Sequence, residues 1–386
     1  MNLFVYELKK IFSKKVVIVL MVAFLILDIM KIYMLYFETI KIDTLYEGRN
    51  KIICEIRGPI TEEKLSFIVE KKRELEELVS SRAYSTEYNP STYSGYEFGD
   101  YIIFRDVYDD LDYAYHYSDF LEQIRLKANE NMELFPNNSP EFKSAKKISE
   151  IYKDREILDY YDFTGYESFL FYDFSSLLVL LLILFSITPV FAEEIELKMD
   201  YLILSSYQGR YKTRKVKLLV SIFVSTLITI VFNFLDYITF YCTIGFDGGS
   251  NPLYSLQSFA YTPFNGTIIQ YVFLSICCEI TGSILFCLIF LLFSSITKKA
   301  LTSMVCGIGI LVLFVLWNDF GSTDWLRMLT PIKLLNCHEI YQKLYVVEFF
   351  DLTIDIRTLL GIIIILSESV LLIFNGLNNS KWRQSI

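Results

Sequence analysis

Residues 169–217 read FLFYDFSSLLVLLLILFSITPVFAEEIELKMDYLILSSYQGRYKTRKVK, and this stretch decides the fold. Its first part, 169–191, is apolar for close to the ~20 residues that carry a helix across the hydrocarbon of a bilayer. Its second part turns to acids, then to apolar residues, then to a run of Lys and Arg. A membrane span must satisfy its own backbone, so a helix is the economical form. Working outward, comparable runs occupy 16–36, 216–242, 267–293, 300–318 and 356–374. Soluble core helices rarely stay apolar for so long. The sequence therefore predicts an all-α membrane protein with six transmembrane helices.

Charge sets the expected orientation. Lys9, Lys10, Lys14 and Lys15 precede the first run, and Lys198, Arg210, Lys212, Arg214, Lys215 and Lys217 lie between the second and third. Lys298 and Lys299 separate the fourth from the fifth, and Lys381 and Arg383 follow the sixth. Alternating spans place all of these, with both termini, in the cytoplasm, as the positive-inside rule requires. The complementary connection 243–266 has no Lys or Arg, and 319–355 has only Arg327, Lys333 and Lys343. The first run is too long for a cleaved signal peptide, and no small-x-small site follows it.

The 386 residues are 53% hydrophobic, and the mean hydropathy is +0.38. That is too apolar for a soluble globule and too charged for a chain wholly in the membrane. The net charge of −9 is unevenly distributed: residues 37–168 hold 17 Lys and Arg against 28 Asp and Glu, the remainder 19 against 17. Acidity belongs to one inserted segment, expected outside, and the basic clusters sit beside spans where topology explains them; nucleic-acid binding is disfavoured. Of seven cysteines only Cys54 and Cys337 fall outside the runs, where a pairing between them stays open. No CxxC occurs to suggest a metal or redox centre.

The inserted segment is large enough to fold as a domain, expected to be mostly helical. Helical spacing is read over 61–82, 111–134 and 141–160, with a Tyr-, Ser- and Gly-rich loop over 84–101 and a break at 136–140. Nine tyrosines between Tyr84 and Tyr117 are either a sticky amphipathic surface for a peptide or lipid headgroup, or packing residues at a wet interface.

Between the second and third spans, Glu193, Glu194 and Glu196 lead into Met199, Tyr201 and Leu202, then a Ser205–Gly209 break, then the basic return. This reads as a short amphipathic helix along the membrane face, with apolar knobs suited to a groove on a soluble partner. Here the chain resembles the permease subunit of a bacterial type-2 ABC transporter. In that family a span ends in an F-x-x-E-x-E-like stretch. It continues through a Leu-Leu-Ser-Ser/Thr-Pro-like turn and a Gly-Arg pair, and reaches a Lys before the next span. The corresponding residues are Phe191, Glu194, Glu196, Leu202–Ser206, Gly209, Arg210 and Lys215 or Lys217, with Tyr207 where proline is common. The N-terminal fifteen residues, MNLFVYELKKIFSKK, are similar to the family's amphipathic elbow helix, with Leu3, Phe4, Leu8, Ile11 and Phe12 on one face. The resemblance covers 1–36 and 169–386.

The resemblance implies an exporter in the cell membrane whose ATP and Mg are bound by a separate ATPase subunit, with no cofactor on this chain. A second permease copy or paralogue would complete the pathway. Glu193, Glu194, Glu196, Met199, Tyr201, Leu202, Ser205, Gln208, Gly209 and Arg210 would form the coupling contact, and 294–300 a second one. The resemblance also implies that 319–355 dips back into the membrane, with 326–340 too short to span it. The chain itself has no G-x-x-x-x-G-K-[ST], no H-E-x-x-H and no G-x-S-x-G, so catalysis is not expected.

Asp28, Lys31, Asp236, Glu279 and Glu368 lie within the apolar runs, each at a cost of ~2.5–3.5 kcal/mol on insertion scales. Asp28 and Lys31, three apart, read as a self-contained pair. Asp236 lies near the outer boundary, within reach of headgroups. Glu279 and Glu368 sit deeper; each lines a translocation path, as Asp236 also would, or makes a structural contact between helices. Export of an amphiphile, lipid or antimicrobial peptide is the leading reading. The alternative is a non-transporting membrane sensor or immunity protein that captures a ligand with the inserted segment.

Overall fold

A computed structural model describes residues 3–40, 43–81, 84–137, 139–199, 205, 212–320, 327–349 and 352–377. Among these are six helical segments long and apolar enough to cross a membrane: Lys15–Phe37, Thr164–Glu196, Lys212–Thr243, Ile268–Ile296, Ala300–Asp319 and Ile356–Asn375. They coincide with the six apolar runs, and the chain is a predominantly α-helical, multi-pass membrane protein. The six are not equivalent. Over their most apolar windows the second, third and fourth are 67, 44 and 50% buried inside the protein, the first, fifth and sixth only 17, 11 and 17%. Lipid tails are as apolar as leucine, so small and polar residues, not hydrophobicity, draw spans together. The inner three carry them: Ser175, Ser176, Ser221, Ser225, Thr229, Asn233 and Ser283 are all buried. One such contact is direct, Thr229 donating to Ser283 Oγ at 2.9 Å.

In chain order, α1 (Leu3–Phe12) precedes α2 (Lys15–Ile40), the first span. The inserted region holds α3 (Asp43–Ile56), α4 (Glu62–Ser80), α5 (Glu97–Tyr115), α6 (Tyr117–Leu134) and α7 (Pro140–Ile151), closed by antiparallel β1 (Gly58–Pro59) and β2 (Asp159–Tyr160). The second span is built from α8 (Thr164–Leu170), α9 (Phe174–Ile187) and α10 (Pro189–Glu196). Then come α11 (Lys212–Thr243), α12 (Ile268–Ile296) and α13 (Ala300–Phe320), the short α14 (Ile332–Leu335) and α15 (His338–Gln342), a hairpin of β3 (Val346–Phe349) and β4 (Leu352–Asp355), and α16 (Ile356–Leu377). The hairpin is a strand element that the all-α expectation did not contain.

The second span is segmented for physical reasons. Pro189 has no N–H to continue the ladder, so α9 stops there and α10 restarts. Thr188 covers the junction, its hydroxyl donating to Leu184 O at 2.7 Å. The helix then runs on to Glu196, so the acids read from sequence as the start of a loop belong to the end of a span. At the other end, a Cβ on Gly165 would stand 1.8 Å from Gly245 O; only glycine lets α8 lie against the turn after α11.

The inserted region is helical, with boundaries set by polar details. Thr61 caps α4, its hydroxyl accepting from Lys64 N at 3.4 Å. The loop expected over 84–101 ends early. Asp100, in the first turn of α5, accepts Ser94 N at 2.7 Å and Tyr93 N at 2.9 Å, tying the loop to the helix start. The helix expected over 111–134 is two helices meeting at His116, and that expected over 141–160 stops at Ile151, short of Asp154 with φ of 56°. Helix α3, unread in the sequence because charges interrupt it, packs Ile52, Ile53 and Ile56 with Ile68, Ile103, Phe104, Val107 and Leu111.

The tyrosines join two parts of the chain. The hydroxyls of Tyr113, Tyr117 and Tyr152 donate to the carbonyls of Tyr254, Ala260 and Tyr261 at 2.8, 2.9 and 2.7 Å. Tyr117 stacks on Tyr254, and Arg155 donates to Thr262 O at 2.8 Å. An aromatic body with a polar tip suits this seam between the inserted region and the 252–262 loop.

The stretch from α14 to α15 returns toward the spans. A Cβ on Gly282, at the middle of α12, would lie 3.0 Å from Leu334 Cβ, and Leu335 joins the core cluster of the spans. Cys337 is buried with its thiol within hydrogen-bonding reach of Cys278, whereas Cys54 is exposed on α3. The two cysteines that the sequence left open as a pair are thus apart, and both are free thiols.

Candidate functional site

At the end of the spans nearest the inserted region, the three inner segments and the α14–α15 stretch enclose a polar cavity of about 40 Å³. Asn233 and Asp236, three apart on α11, share a face that meets Ser175 and Ser176 of α9 and Glu279 of α12. Glu279 is buried and accepts from Asn233 Nδ2 at 2.6 Å and from Ser176 Oγ at 3.4 Å. Asp236, 3% exposed, faces Asp28 of α2, 0% exposed, within hydrogen-bonding reach. The Tyr172 hydroxyl donates to Asp28 Oδ1 at 2.7 Å.

Three carboxyls are therefore buried together, and their partners are hydroxyls and an amide rather than Lys or Arg. Asp28 Oδ2 and Asp236 Oδ1 receive no donor from the protein. Two facing carboxyls in that condition are satisfied by a bridging proton or a guest that brings donors. His338 borders the cavity, and its Nδ1 also lacks a hydrogen-bond partner. Burial holds the His338 imidazole below its ordinary pKa, leaving it neutral at pH 7. The space admits about three waters at roughly 10–15 Å³ each.

The opposite end of the spans handles charge differently. Lys217 of α11, 2% exposed, donates to Glu7 of α1 at 2.8 Å and to Glu194 of α10 at 2.7 Å. Lys10 reaches the same Glu194 oxygen at 2.6 Å, and Lys14 pairs with Glu193. Burial works against the Lys10 ammonium, but the hydrogen bond and charge of Glu194 outweigh it and raise its pKa. Glu196 accepts from Ala300 N at 3.1 Å, and Ser294 Oγ of α12 accepts from Phe191 N at 2.9 Å and Ala192 N at 3.2 Å. Helix α10 is thus bound to α1, α11, α12 and α13 at once. Past its end, Lys198 turns left-handed with φ of 57°, and Leu197 and Met199 are 63% and 49% exposed.

The residues read as a coupling surface fall into three groups. Glu193, Glu194 and Glu196 are bonded within the chain, Met199 is exposed, and Ser205 is an exposed helical position. Tyr201, Leu202, Gln208, Gly209 and Arg210 lie outside the described residues. Of the candidate path residues, Asp236 and Glu279 meet at the cavity, while Glu368 on α16 does not line it. Asp236 is enclosed rather than reaching headgroups. Asp28 turns to Tyr172 and Asp236 rather than to Lys31, because its helix face looks into the bundle. Sequence reading passed over Tyr172 and Asn233, and considered His338 only as a zinc ligand, which the absence of H-E-x-x-H excluded; the Asn233–Asp236 spacing inside an apolar run was the available signal. No protein-family model matches the chain, and comparison with curated proteins and with solved structures finds no match.

Proposed function

We propose that this chain is the membrane-spanning permease subunit of an ATP-driven ABC exporter in the bacterial cell membrane, working with a separate ATPase subunit. Both termini and α10 then face the cytoplasm and the inserted region faces out. A second copy or paralogue completes the path, and the cargo is an amphiphile, lipid or antimicrobial peptide. The observation that carries the reading is the bonded end of α10 with its two exposed apolar side chains. Leu197 and Met199 are knobs for a groove on a soluble partner. A push there reaches α11 through Lys217 and α12 through Ser294, and these are the helices that carry Asn233, Asp236 and Glu279. Rigid helices joined by discrete bonds move as units, so work done at one end alters the polar cavity at the other.

The test is purification of the full-length protein from its native membranes, with associated chains identified by mass spectrometry. A chain with a Walker motif is expected with the wild type and is lost from a Leu197→Asp/Met199→Asp variant that unfolds at the wild-type temperature. An ATPase retained by that variant overturns the docking assignment. If none accompanies the wild type, the sensor or immunity reading takes precedence.

A further inference from the structure

A second cavity, of about 70 Å³, opens where the inserted region rests on the spans, and it does not depend on the export reading. Arg49 of α3, Asp110 and Tyr113 of α5, Tyr160 of β2, Glu167 of α8 and Ser255 line it. Its charges do not balance. The single guanidinium, Arg49, is engaged by Asp110 at 3.1 Å and by Asp162 at 3.7 Å, while Glu167 takes a hydroxyl donor from Ser258 at 2.5 Å. Two lining carboxylates thus face one cation, with Asp162 outside the lining and bonded to Thr164. Three groups of the lining residues lack partners: Arg49 Nε, the Tyr160 hydroxyl and Ser255 Oγ make no hydrogen bond, and Tyr160 and Ser255 are 3% and 6% exposed. Buried polar groups in that state are costly until something bonds them.

The walls narrow the chemistry. Besides Tyr113 and Tyr160, the rings of Tyr161 and Phe163 border the space. Aromatic faces beside uncompensated carboxylates attract an organic cation through ring quadrupole and Coulomb terms together. No grouping of three His, Cys, Asp or Glu able to hold a metal occurs among the described residues. The volume equals roughly five waters at 10–15 Å³ each, enough for an amine head with a short carbon stem.

We propose that this cavity binds a small organic ammonium group, held by Asp110 and Glu167 against the surrounding rings and bonded to the Tyr160 and Ser255 hydroxyls. Because its lining comes from α3 and α5 on one side and α8 and the 255–257 loop on the other, occupancy ties the inserted region to the spans. Loss of water pushes the Asp110 carboxyl up to about 6 against the pull of Arg49, with Asp162 nearby and Glu167 adding to the rise. Tyr160, which faces the same group, is itself held above its ordinary value by burial. Protons therefore compete with the amine below pH 6.

The experiment titrates full-length protein in detergent with ethylammonium chloride, with sodium chloride and sodium acetate as controls at equal ionic strength. A second arm uses a trilysine peptide. Saturable binding of ethylammonium at pH 7.5 is expected, about tenfold weaker at pH 5 as Asp110 takes its proton. Asp110→Asn and Glu167→Gln, each with the wild-type unfolding temperature in the absence of amine, should weaken it by a similar factor. Binding of trilysine alone assigns the ammonium to a peptide rather than to a free small amine. The proposal is overturned if neither amine saturates, if acetate binds equally, or if both variants bind as the wild type does.

Discussion

The two ends of the spans bury carboxylates in opposite ways. At the end bearing the N-terminal helix, Glu7 and Glu194 converge on Lys217, with Lys10 beside them. At the end near the inserted region, Asp28, Asp236 and Glu279 meet hydroxyls and an amide, and two carboxyl oxygens receive no donor. A buried charge with its counter-charge in good geometry locks helices together. A buried acid without one is a standing cost, and inside a membrane span it marks a candidate functional position. The first arrangement is a joint; the second is the one we propose as a site.

The largest expected effect breaks the joint. Lys217→Met leaves the buried Glu7 without a cation and Glu194 with Lys10 alone, and should cost about 3–5 kcal/mol, read as a lower unfolding temperature in detergent. Restoring neutrality with Glu7→Gln, which leaves Glu194 paired with Lys10, should recover most of the loss. A Lys217→Met protein as stable as wild type would erase the contrast between the ends.

A smaller effect, of opposite sign, is expected at the site. Asp236→Asn supplies the N–H that the Asp28–Asp236 pair lacks, so stability should hold or rise by up to about 1 kcal/mol. Glu279→Gln keeps an acceptor for Asn233 and Ser176 and should also fold normally. Both should reduce ATP-coupled transport in reconstituted vesicles; unchanged transport in the Glu279 variant removes it from the path.

Asp110 is the intermediate case, paired with Arg49 but outnumbered by Asp162 and Glu167. Its folded-state pKa of about 6 exceeds the ~3.9 of an unfolded chain, so the folded form binds more protons between those values. The penalty of ionised Asp110 is thus present above pH 6 and relieved as pH falls toward 4. The side chain is partly open to water, which limits the gain to at most about 1 kcal/mol. The gain is measured as the difference between wild type and Asp110→Asn across a pH series of thermal unfolding. An identical pH dependence in both proteins would place Asp110 with the ordinary surface acids.

The sequence was most legible where the signal is local. Six spans follow from runs of apolar residues, and α4 from its spacing, because each reads out over a few turns of one helix. It was least legible where one residue's meaning lies far along the chain. Glu194 looks like a solvent-facing acid until Lys217 and Lys10 are beside it, and Asp28 looks paired with Lys31 until Asp236 arrives from α11. The tyrosines between 84 and 117 had two open readings, and their donation to the 252–262 carbonyls selects the packing one for Tyr113 and Tyr117.

By itself, then, the sequence determined the membrane class, the number of spans and the concentration of acid in one inserted region. Those properties add up residue by residue. Only the tertiary structure decided which three spans are inside, that the acids after Phe191 end a helix and bind inward, and that Asp28, Asp236 and Glu279 gather without a cation. A polar group in a low-dielectric interior is defined by its partner, and here the partners lie up to 210 positions away.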